Sequence, residues 1–469
     1  MSFDKSLLTR HLIIIGFMFG FQFMPPVGQI TPLGMSLLGI FIGALYGWLT
    51  IGFAFPSIAG LLALGLSGAY PNFGAMLAAT FGGHAAVMMV GCLFICAFIE
   101  VIDLPNVIIG FMLNLKWVRR SINVFMVIFF ITTYLVSAVS NANLAAYVFV
   151  EMYRALARQT GIAPSSRLNT YMLIGITFSA ILAEISFPFK PIAVLVIGLC
   201  QSTAGITLTF TDYLLFITCY QLVSVILFVL IGRYVLRIDF SQITKVTVPS
   251  IPASPKQKVG LWCILVLIVA FILSNTSTPV FHELGIGGVS LLVLLLMMFI
   301  QIDGAPLVDL KALSAHFSWG MYLLMVFLIP FSGFIGAPVA GIAATMKTLV
   351  TPVLTMVPPA AFLILAMAFT TLITNFLNNM PVAVIFISLM GTLQSSLTGI
   401  NFGASCVAIV MCAFISMATP AANSAAVYVY GNRDLVPSLR SILGMGSIVC
   451  VVLCALTIFC YYPLAARLL

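Results

Sequence analysis

Charged residues make up only 6% of this 469-residue chain, against roughly 25% in a typical soluble domain. With 62% of its residues hydrophobic, the chain cannot be a solvated globule, because no single core hides so much apolar surface. Metal-ligand grouping is missing as well. The ten cysteines are scattered without a CxxC pair, and the four histidines (His11, His84, His282, His316) lie far apart. That excludes a recognisable zinc or redox motif. Cys92 and Cys96, like Cys450 and Cys454, share a helix face and read as small apolar packing residues. No GxSxG elbow and no P-loop occurs, so nothing indicates a serine hydrolase or an NTPase.

What is present is a succession of apolar runs from end to end, each near the length of a bilayer crossing. A polytopic all-α membrane protein with about 11 transmembrane helices follows. The short polar stretch Met1 to Arg10 precedes an apolar run without a small-residue cleavage site, which reads as a retained first span. The net charge of +8 does not call for nucleic acid. Its basic residues cluster at Lys5 and Arg10, at Lys116, Arg119 and Arg120, at Arg154, Arg158 and Arg167, from Arg233 to Lys258, and at Arg433 and Arg440. With a cytoplasmic amino terminus all of these fall inside, while Lys347 and Arg467 face outward.

Spans are expected near 11–29, 33–49, 51–67, 84–102 and 211–235, with an interfacial piece at 104–115. Residues 122–156 are interrupted at Ser140-Asn141 and read as a re-entrant hairpin, and a broken helix is expected over 168–198. Together these make a first repeat over 1–235. Residues 236–258 carry Pro249, Pro252 and Pro255 and read as a cytoplasmic linker. The second repeat, 259–469, has spans near 259–275, 285–301 and 317–336, and an interfacial piece at 338–352. A hairpin over 359–396, a broken helix over 404–431 and a last helix at 440–465 complete it. Laying Ser140-Asn141 on Asn378-Asn379 also brings the second breaks, at Ser186 and Thr419, into the same order. By the span count the two hairpins enter from opposite sides, so the repeats are inverted.

Breaks of this kind persist in hydrocarbon only where protein or a ligand satisfies their polar groups. Helix starts at a break attract anions and helix ends attract cations. An Asn at a tip serves both, since its amide donates to a carboxylate while its oxygen ligates a cation. Ser140, Asn141 and Ala142, with Asn378, Asn379 and Met380, are therefore the tip candidates for binding a small organic anion. Ser186, Lys190, Thr419, Pro420 and Asn423 are the candidates from the second breaks.

These features resemble the divalent-anion/sodium symporters of the ion transporter superfamily, over essentially the whole chain. The best match is Ala418-Thr419-Pro420-Ala421-Ala422-Asn423. The resemblance implies an elevator-type homodimer in a bacterial inner membrane, taking up di- or monocarboxylates with Na+ as coupling ion. It also implies a sodium site at Thr374, Asn379 and Ala418. Its counterpart at Ser140 and Asn141 departs from the family pattern, with Val136 in place of a hydroxyl, Ile185 in place of a small residue, and Lys190 in place of the closing Asn. Ala142 and Met380 replace tip threonines, leaving fewer donors for substrate.

An intramembrane lysine points to function by default. Lys190 has three readings: a fixed cation in the first sodium's place, a partner of Glu184, or a side chain snorkelling to an interface. Glu184 reads as a structural partner or a proton relay, and Glu100 and Asp103, at a helix end, as structural or interfacial residues. Proton-coupled or cation-independent exchange is the alternative within the transporter class. A channel would carry a ring of like charges, and an enzyme would show a nucleophile–base or metal set. The sequence displays neither.

Overall fold

The computed structural model describes residues 5–116, 121–205, 208–243, 253–274, 279–302 and 304–342, and 344–468 apart from 346, 347, 350, 351, 353–355, 433 and 437. Trp117 to Arg120, Lys347, Arg433 and residues 244–252 of the linker lie outside those residues. The described residues are mainly helical, and the strand pair found among them is two residues long, Gln301–Ile302 with Ala305–Pro306. Among the described residues seven helices are long and apolar enough to cross a membrane, or up to nine if each of two bent pairs is one span. This is a multi-pass membrane protein. Several runs are realised as shorter helices, among them Ala54–Leu66, Pro359–Thr374, Asn379–Leu393 and Phe402–Ala413.

Local chemistry sets the boundaries. The first helix, Lys5–Gly20, gives way to a short 3-10 turn, Phe21–Phe23, well before residue 29. Pro25 and Pro26 follow, and a proline pair cannot continue a helix. Pro32–Thr50 begins on a Thr31 side chain that accepts from the Gly34 N–H, with proline at its first position. Ala142–Thr160 ends on Gly161 in the left-handed conformation (φ +70°), where only glycine avoids strain.

Two helices form the centre. Leu168 to Leu182 of Arg167–Leu182 and all of Phe402–Ala413 are buried residue by residue. Each is capped by a polar side chain, Ser166 or Asn401, at its start. Each runs into one of the two second breaks. Ile122–Val139 and Ala142–Thr160 pack against the first central helix, and Pro359–Thr374 and Asn379–Leu393 against the second. The halves then cross. Ala142–Thr160 packs on Ser424–Gly431, and Pro191–Ala204 packs on Asn379–Leu393. That exchange brings all four breaks together.

The last long helix, Leu439–Leu468, closes the second break from outside. A Cβ added at Gly446 would lie 2.8 Å from Ala418 Cα and 3.3 Å from Met417 O, and backbone of that kind has little room to move. Gly446→Val is expected to push this helix off the break and destabilise the fold by about 1–3 kcal/mol. A thermal melt in detergent, beside the exposed-face control Gly444→Val, would read it; equal melting of the two variants would contradict the close approach.

Candidate substrate cavity

The first tip is held at both helix ends by its own protein, and Asn143 faces the cavity. Ile122–Val139 ends at Ser140, whose hydroxyl donates back to Val136 O at 2.6 Å. Ala142–Thr160 then starts on Asn141, whose Oδ1 accepts from Leu144 N at 2.9 Å. The other end of that amide, Nδ2, donates to Glu100 Oε1 at 2.9 Å. The Ala142 N–H donates to Glu184 Oε1 at 2.5 Å. On the opposite side of the tip, the Lys190 ammonium donates to Ser137 O at 3.0 Å and Ser140 O at 2.6 Å. Lys190 is 2% exposed. Its Nζ thus sits at the carbonyl end of a helix, where a cation is favoured.

Lys190 does not pair with Glu184. Among the described residues the ion pairs are Arg154 with Glu151 and Arg154 with Asp434. Snorkelling is ruled out by its burial. Glu100 holds Asn141 and lines the cavity.

The second tip is built differently. Pro359–Thr374 ends beside Asn375, and Asn379–Leu393 begins with Asn378 Oδ1 accepting from Met380 N at 3.2 Å. The Thr374 hydroxyl lies 2.5 Å from Ala413 O and 3.2 Å from Asn379 Oδ1. A hydroxyl has one proton, so it cannot donate to both. Three oxygens from three segments therefore converge with a single proton among them, a donor set suited to a hard cation such as Na+. Asn379 is 3% exposed and its Nδ2 has no protein partner.

Ala418 reaches this cluster one residue away, its N–H donating to Asn375 Oδ1 at 2.8 Å. Asn375 also donates to Thr371 O and Ile415 O and accepts at its carbonyl from the Thr419 hydroxyl. It is the tie between second tip and second break. It is missing from the candidates read from sequence, although an Asn inside Leu372-Ile373-Thr374-Asn375-Phe376 is itself a signal. Asn423 accepts from Ala426 N at 2.8 Å and donates to Ser416 O at 2.7 Å.

A cavity of about 320 Å³ lies between the tips, at the small end of the range for ligand sites. Ser140, Asn141, Ala142, Lys190, Asn378, Asn379, Met380 and Asn423 line it, as do Glu100 and Glu184. Its remaining wall includes Asn143 of the first tip and, from other segments, Phe53, Cys96, His316 and Ser318. Ser186, Thr419 and Pro420 are not on this wall. Ser186 is buried behind it, its hydroxyl on Ala183 O and its carbonyl accepting from Thr218. Thr419 and Ala418 face a separate apolar groove against Leu439–Leu468. The wall thus includes two carboxylate side chains, Lys190, and Asn379, whose buried Nδ2 has no protein partner.

A family model described as citrate transporter matches residues 36–413, most of the chain. That family and the divalent-anion/sodium symporters share the ion transporter superfamily. No curated protein matches the chain.

Proposed function

The chain belongs to the citrate transporter family, secondary transporters of citrate or related carboxylates, and from that premise we propose that it carries a citrate-like anion through the cavity between its two tips, coupled to sodium. The open Asn379 Nδ2 carries this reading. A buried amide without a partner costs about 1–3 kcal/mol, and its place on the cavity wall at the start of a helix suits an anionic ligand. Sodium is assigned to the oxygens of Thr374, Asn379 and Ala413, with Ala418 as the family-like neighbour. Lys190 takes the place of a second coupling ion. Alternating access by elevator motion of inverted repeats, in a homodimer set in the bacterial inner membrane with its amino terminus cytoplasmic, completes the proposal.

Uptake of labelled citrate into proteoliposomes tests this directly. A sodium gradient should drive accumulation, and full accumulation with potassium replacing sodium would sink the sodium assignment. Proton coupling is the second reading, favoured by the two carboxylates on the cavity wall, and accumulation driven by a proton gradient alone would establish it. Thr374→Val keeps the side-chain volume and removes one oxygen. It is expected to raise the sodium concentration for half-maximal uptake about tenfold, with little change in citrate affinity at saturating sodium. Unaltered sodium dependence would move the ion elsewhere.

A further inference from the structure

Glu184 and Lys190 lie on one break, and each reaches a different end of the same tip. The ammonium takes the helix-end carbonyls of Ser137 and Ser140, and the carboxylate takes the helix-start N–H of Ala142. The first is where a free cation would be attracted and the second where a free anion would be. The second tip has no such side chains. When the breaks are laid on each other, Met417 stands in place of Glu184 and Asn423 in place of Lys190. The donor left open there is Asn379 Nδ2.

We propose that Glu184 is a resident carboxylate that permanently fills the anion seat of the first tip, leaving the second tip as the single free anion seat and setting how many ionised carboxylates the cavity admits. This deepens the substrate-site reading of the cavity and rests on it. Glu100 reinforces the effect by occupying the Asn141 amide. Lys190 is committed to two carbonyls, and His316 lines the wall at the end of its own helix with Nδ1 3.2 Å from Ala312 O. A multiply ionised substrate therefore meets its free donors at one end and fixed negative charge at the other.

Thermal melting of the purified full chain in detergent, in sodium formate against equal sodium chloride, tests the seat without any transport step. Glu184→Ala should melt lower than the natural protein, and formate should restore part of the loss in a saturable way. The natural protein and Glu184→Gln keep the first seat filled, so formate can act on them only through the second tip, and Glu184→Ala should gain more from formate than either. A Glu184→Ala protein whose formate gain is no larger than the natural protein's overturns the proposal. Should that variant not fold, Glu184→Gln decides. Its amide oxygen still accepts from Ala142 while the charge is gone, so the KM for citrate uptake should fall about tenfold. An unchanged or higher KM overturns the proposal. Failure of the natural protein to take up citrate would instead sink the functional reading, leaving the formate result to stand or fall alone.

Discussion

Lys190→Met is expected to reduce uptake by about a hundredfold or more while leaving a protein that still inserts in the membrane. Methionine matches the length and apolar stem of lysine but carries no donor. Ser137 O and Ser140 O would then face the interior without their shared cation. Each buried acceptor left unmade costs about 1–3 kcal/mol, and the helix end adds its own demand for positive charge. Two such losses are of the size that shifts an equilibrium by about a hundredfold or more, so the tip would close up differently or recruit an ion. Lys190→Asn separates those outcomes. Asparagine restores the residue found at the corresponding place in the second half, Asn423, with a donor for one carbonyl and an oxygen for a cation. That variant should retain about a tenth of the activity and show a steeper dependence on sodium, as a second exchangeable ion enters. Natural rates and natural sodium dependence in Lys190→Asn would show that the ammonium has no part in coupling.

Much of this site is legible in the sequence alone. Polar breaks in apolar runs mark positions where hydrogen bonds must be found, and Ser140-Asn141 and Asn378-Asn379 do meet across one cavity. Lys190 is legible as functional for the same reason. Its partners are not, because the nearest carboxylate in sequence, Glu184, is a poor guide to the nearest acceptor in space. Carbonyls carry no sequence signature, and two of them hold the ammonium. Asn375 is hidden by its neighbour Thr374, which already has a role. Ser186 and Thr419 sit at true breaks, yet their hydroxyls turn to backbone carbonyls behind the wall. Hydropathy alone does not tell a lipid-facing helix from one such as Phe402–Ala413 that is wrapped wholly in protein.

Asn379 bears on both ligands, and two substitutions there should pull them apart. Its Oδ1 lies by the Thr374 hydroxyl, and its Nδ2 is the unpartnered buried donor. Asn379→Leu removes both and should lower kcat/KM for citrate by about a hundredfold or more, since a charge-assisted hydrogen bond and a cation ligand are lost together. Asn379→Asp keeps an oxygen toward Thr374 and gives it negative charge, while the donor is replaced by an acceptor. Sodium should then bind more tightly, and citrate should meet a like charge at its one free seat. The expected signature is opposed: half-saturation for sodium falls about tenfold while the citrate KM rises by about tenfold or more. A residue that merely packed the tip would weaken both ligands together in either variant. Only a side chain placed between the ion and the anion, offering its oxygen to one and its nitrogen to the other, should tighten the first binding while loosening the second.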